Sequence, residues 1–96
     1  MFIDSHAHID FSSYAAEEIE PMMARAREAG VERIVHIGSG EGTASMEGAC
    51  KVLERFSDVY AAIGVHPHDA KLVDDAVMLR AREIAQHPKV VAIGEI

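Results

Sequence analysis

Tryptophan is absent from this chain, cysteine occurs once, proline three times, and three phenylalanines and two tyrosines are all its aromatic surface. A lone thiol, Cys50, cannot close an intramolecular disulfide, so the expectation is a reducing, cytoplasmic setting. No basic-then-apolar leader precedes Asp4. Long apolar runs are missing too, each being interrupted within about eight residues where a membrane helix needs about twenty. Basic residues are also scarce. Nine Lys and Arg against sixteen Asp and Glu leave a net charge of -7, which repels a phosphate backbone over most of the surface. A nucleic-acid substrate would therefore need local help from metal ions.

What is present is an ordinary globular composition, 49% hydrophobic and 26% charged over 96 residues, enough for one domain spanning 1–96 and no second. Four short apolar runs recur: Phe2-Ile3 leading into a histidine pair, Arg33 to Ile37, Val59 to Val65, and Lys89 to Ile93. They are β-branched and nearly continuous, the pattern of parallel strands covered by helices on both faces. Three helical segments lie between them. The first is read over Glu17–Ala29 with Ile19, Met22, Met23 and Ala26 inward, and Pro21 calls either for a start near Glu18 or Glu20, which places it in the first turn, or for a kink. The second follows Gly42-Thr43, with Thr43 as N-cap and Met46, Ala49, Cys50 and Leu53 on one stripe. The third runs over Asp75–Gln86, capped by Asp74 or Asp75, with Val77, Leu79, Ile84 and Ala85 as buried candidates. Alternating strand and helix at a spacing of about thirty residues gives a parallel α/β sheet, either a (β/α) barrel or a doubly wound sheet.

The ends of the chain carry the chemistry. Asp4-Ser5-His6-Ala7-His8 follows an apolar pair, and residues two apart in an extended strand share a face, so His6 and His8 can present two imidazoles to one ion, with Asp4 a step further back. Glu95 stands at the tip of the last apolar run. Imidazole plus carboxylate suits zinc, manganese or another borderline divalent ion. His66 and His68 flank Pro67 after the third run, and of these only His66 is carried forward as functional. His36 shares a face with Ile34 and reads as a core or rim residue. His87 before Pro88 reads as structural. The segment Gly38-Ser39-Gly40-Glu41-Gly42 matches neither the dinucleotide-binding nor the P-loop glycine pattern and is read as a flexible loop.

Three words in order, Phe2-Ile3-Asp4-Ser5-His6-Ala7-His8-Ile9-Asp10, Ile63-Gly64-Val65-His66-Pro67-His68 and Val90-Val91-Ala92-Ile93-Gly94-Glu95-Ile96, resemble the N-terminal half of the TatD-like metal-dependent deoxyribonucleases among the amidohydrolase-like barrels. The resemblance spans the whole chain. It implies the N-terminal half of a TIM-like (β/α)8 hydrolase barrel, truncated after its fourth strand, because a complete barrel takes about 250 residues. It further implies a metal shell of His6, His8 and Glu95, with Glu95 bridging two divalent ions (Zn, Mg or Mn) and His66 catalytic near the substrate phosphate. The activity implied is hydrolysis of DNA phosphodiesters by a metal-activated water. Alternatives from other classes are a non-catalytic half-barrel that self-associates through its open sheet edges, and an amidohydrolase-type enzyme acting on a small amide, lactone or base. No membrane partner is expected.

Overall fold

The computed structural model describes residues 1–12, 14–40 and 42–96. Strand β1 (Phe2–Ala7) leads through helix α1 (Ala16–Glu28) to β2 (Val31–Gly40), and α2 (Ala44–Arg55) returns the chain to β3 (Val59–Val65). A 3₁₀ turn over Pro67–Leu72 and helix α3 (Asp75–Ile84) then precede β4 (Val90–Ile93). All pairings are parallel and the sheet order is β1-β2-β3-β4. A strand order that never reverses, joined by right-handed crossovers, places the helices on one face. The doubly wound alternative is thereby excluded, and with it helices on both faces: what remains is the singly wound arrangement of a half-barrel.

The core lies between that face and the helices. Val59, Ala61 and Ile63 project into it at period two from β3, Ile34 from β2, and Ile19, Met23, Met46, Ala49, Val52, Leu53 and Ile84 close over them. On the opposite face Ile37 and Ala62 of the two central strands are buried, while both sheet edges are thinly covered. Phe2 and Ile3 on β1 are 66% and 59% exposed, and Val91 and Ile93 on β4 are 56% and 58% exposed.

Three expectations are corrected. Helix α1 begins at Ala16, so Pro21 falls in the second turn, not the first. The start is fixed by the Glu18 carboxylate, which accepts the Ala15 N–H at 2.9 Å, and Pro21 is exposed, so the carbonyl one turn back that loses its donor faces solvent. Leu79 is 61% exposed, not buried. It sits about 200° around α3 from Val77, while Val77, Ala81 and Ile84 share the inward stripe. Finally, Gly38, Ser39 and Gly40 belong to β2 and pair with Ile63, Gly64 and Val65; Glu41 lies outside the described residues. Glycine is used here because α2 crosses β2 closely, a Cβ on Gly38 meeting the Ala49 Cβ at 2.6 Å.

Long-range polar contacts tie the layers together. Lys89 Nζ donates to the carbonyls of Leu53 and Phe56 at 3.1 and 2.6 Å, covering the C-terminal end of α2. Arg27 grips Asp58 through two bonds, Nε–Oδ2 at 2.8 Å and Nη2–Oδ1 at 3.0 Å.

Candidate metal centre

The C-terminal ends of the strands converge on the open side of the sheet. His6 lies in β1 and His8 one residue past it, both exposed. Their rings meet edge to face with centroids 5.2 Å apart. Asp4 is turned to a local task, its Oδ1 accepting the His6 N–H at 3.0 Å. Glu95 stands two residues past the end of β4. One ligand atom from each of His6, His8 and Glu95 lies within 4.8 Å of the others. Two imidazoles and a carboxylate at that separation can close on one divalent ion with small side-chain rotations, so the donor set fits the zinc or manganese class anticipated above.

The position of Glu95 depends on a contact that the sequence reading did not identify. The Gly94 N–H donates to the Ile63 carbonyl at 3.0 Å, and a Cβ added to Gly64 would stand 2.9 Å from the Gly94 oxygen and 3.1 Å from its carbonyl carbon. No real Cβ tolerates the first of these separations. Gly64 therefore lets the segment carrying Glu95 lie directly on β3. A glycine inside an apolar strand signals such a close approach, and Gly64 carries that signal.

His66 joins the cluster from the end of β3. Its Nδ1 accepts the His68 N–H at 3.1 Å, so the proton of the neutral ring resides on Nε2. That nitrogen faces Glu95 Oε2 at 3.8 Å. His68 is exposed and stacks at a tilt on His66 with centroids 4.6 Å apart. His87 Nδ1 accepts the Lys89 N–H at 3.0 Å in the turn before β4, a structural role.

His36 is buried, 1% exposed. Its Nδ1 accepts the Ile9 N–H at 3.1 Å, which pins the backbone immediately after His8. Burial pushes its imidazole below the ordinary histidine range, opposed by Asp10 and by the Ala7 carbonyl. That carbonyl is not in hydrogen-bonding geometry with Nε2, which has no partner among the described residues. A histidine in step with Ile34 on an apolar strand was the available signal, and it pointed to the core position it holds, not to its grip on the segment beyond β1.

Beside His8 a cavity of about 570 Å³ opens between the segment after β1, the end of β2 and helix α2. Its wall includes Glu47, whose carboxyl the hydrogen-bonded Arg80 guanidinium holds below the usual carboxylate range.

Residues 3–96 match the model of the family described as TatD related DNase. The chain is 38% identical over its whole length to the metal-dependent hydrolase YabD of Bacillus subtilis, covering 36% of that protein. It is 38% identical over 84 residues to the 3'-5' ssDNA/RNA exonuclease TatD of Cronobacter turicensis, covering 88% of this chain and 31% of that one. Among solved structures, the crystal structure of the TatD homologue YJJV from Escherichia coli superposes with a TM-score of 0.80 at 31% identity, over 99% of this chain and 36% of that chain. The chain thus spans about a third of the length of the curated relatives it matches.

Proposed function

Since the chain belongs to the TatD related DNase family, whose members include metal-dependent hydrolases and an exonuclease, we propose that it serves metal-dependent hydrolysis of phosphodiesters in single-stranded nucleic acid. The observation that carries this reading is the convergence of His6, His8 and Glu95 within 4.8 Å. A divalent ion bound there supplies Lewis acidity toward water and toward a phosphoryl oxygen. His6 and His8 offer ring nitrogens from alternate positions at one strand end. Glu95 offers the anionic oxygen, and the Gly64–Gly94 contact holds it in place. His66 keeps a proton on Nε2 beside that carboxylate, where it can donate to a substrate phosphate oxygen and steady its charge. With a net charge of -7, substrate capture rests on this local site and not on a basic surface.

The test is isothermal titration of the 96-residue chain with Zn²⁺ and Mn²⁺, paired with cleavage of a labelled single-stranded oligonucleotide. His6→Ala and Glu95→Gln should each weaken metal binding by about tenfold or more and lower cleavage with it. Metal affinity unchanged in both variants would remove the assigned roles.

A second reading concerns assembly and is favoured by the exposure of Phe2, Ile3, Val91 and Ile93 on the two edge strands. Unpaired strand edges carrying apolar side chains are templates for pairing with another chain, so we infer that β1 and β4 seek further strands.

A further inference from the structure

We propose that His36 is a positioning residue for the metal centre, one that aims His8 by holding the backbone just past it, an inference that rests on the metal-site reading above. Its basis is the way β1 ends. From Asp4 to Ala7 that strand takes one residue more than β2 takes from Ile34 to His36. An extra residue of this kind interrupts the ladder and re-aims the side chains beyond it. Strand pairing alone therefore does not set where the two imidazoles point.

Side chains hold the backbone on both sides of the His6-Ala7-His8 segment. The Asp4 carboxylate accepts the His6 N–H at 3.0 Å in an exposed contact, where water can take its place. Beyond the segment, His36 Nδ1 accepts the Ile9 N–H at 3.1 Å in a buried contact, where an N–H deprived of its acceptor is costly. The second clamp is the stronger. The Ile9 N–H lies in the same peptide plane as the His8 carbonyl carbon, so fixing its direction fixes ψ of His8. Ile9 itself is 6% exposed and packs in the core. Its side chain settles where the residue lies, and the bond to His36 settles how the peptide before it is turned. β2 is a firm base for that bond, since His36 is paired on both sides, with Ala7 and with Ala61.

Core packing does not call for an imidazole at this position. His36 is the one buried polar side chain among the described residues, and its Nε2 has no hydrogen-bond partner among them. A β-branched residue would fill a central strand without that desolvation cost. What valine or isoleucine lacks is an acceptor for the Ile9 N–H.

The experiment titrates the 96-residue chain and its His36→Val, His36→Asn and Lys89→Met variants with Zn²⁺ by calorimetry, and follows hydrogen exchange at the Ile9 amide. Lys89 precedes β4 whereas Glu95 follows it, so Lys89→Met lowers stability away from the site. His36→Val should weaken Zn²⁺ binding by about tenfold or more and expose the Ile9 amide to exchange. Asparagine carries an amide oxygen near the place of Nδ1, so His36→Asn should keep Ile9 protected and Zn²⁺ affinity within about threefold of the parent's. Lys89→Met should leave the affinity within about twofold. Unchanged affinity in His36→Val overturns the proposal, as does an equal loss in Lys89→Met, which would tie affinity to stability in general. Should His36→Val fail to fold, His36→Asn decides: protection and affinity kept or lost together supports the proposal, and affinity held while protection is lost overturns it. A parent chain that binds no Zn²⁺ overturns the metal-site reading; a parent that binds, with His36→Val unchanged, overturns this inference alone.

Discussion

Glu95 and His6 belong to opposite edges of a four-stranded sheet, yet with His8 they bring ligand atoms within 4.8 Å of one another. Three strand spacings of about 4.8 Å would set the edges of a flat sheet roughly 14 Å apart. The sheet must therefore curl, and the chain past β4 must turn inward, for the two to meet. Gly64 permits the second condition by letting the Gly94 backbone lie directly on β3.

Gly64→Ala follows as the most direct probe of that geometry. A methyl group there must displace Gly94, at an overpacking cost of about 1–3 kcal/mol. Because the displaced segment carries Glu95, Zn²⁺ affinity should fall by about tenfold or more. Calorimetric titration beside a urea melt checks it: a stability loss with unchanged metal affinity would show that Glu95 does not depend on Gly64.

His36 sets a pH dependence of stability. Burial holds its imidazole below the ordinary histidine pKa of about 6.5 when folded, so just below that pH the unfolded chain binds more protons than the folded one. The contribution is present in full above pH 6.5 and is lost as pH falls below it, because acid charges the unfolded histidine first. Denaturant melts at a series of pH values should show stability falling on acidification, and His36→Val should flatten that slope. The same variant leaves the Ile9 N–H without its acceptor and should cost about 1–3 kcal/mol at neutral pH.

Lys89 is expected to matter more than an exposed lysine usually does. Its Nζ bonds two carbonyls at the end of α2, where the helix dipole also favours a cation. Lys89→Met keeps the aliphatic stem and removes both bonds, so thermal unfolding should register a loss of about 1 kcal/mol. A melting temperature equal to that of the parent would show that water replaces the amine without penalty.

The architecture was legible because β-branched runs and helical stripes alternate along the chain with little ambiguity. The convergence of His6, His8 and Glu95 was legible because they sit at the ends of apolar strands, where side chains of one face converge. Less legible were features set by partners distant in sequence. The extension of β2 through Gly38-Ser39-Gly40 depends on β3 offering a matching length, and glycine-serine spacing alone reads as loop. Leu79 was misplaced because apolar identity outweighed its angle around the helix. The Ile9 to His36 bond spans 27 residues and has no local signature. The Gly64 contact had one, a glycine in a strand interior, but its partner is visible only in three dimensions.

Association provides the last test, since four exposed apolar residues lie on the two strands that lack a second neighbour. Phe2 and Ile3 on β1 and Val91 and Ile93 on β4 are each more than half exposed, and neither edge is blunted by a proline within the strand. Sedimentation velocity over a concentration series should show the mean mass of the 96-residue chain rising with concentration. Placing a charge on one edge, Val91→Lys, should shift that rise to higher concentration without lowering the melting temperature by more than a few degrees, because Val91 contributes little to the core. A parent chain that sediments as a monomer at every concentration would mean that the curl joining Glu95 to His6 also shields these edges, and the assembly reading would be abandoned while the metal site stood.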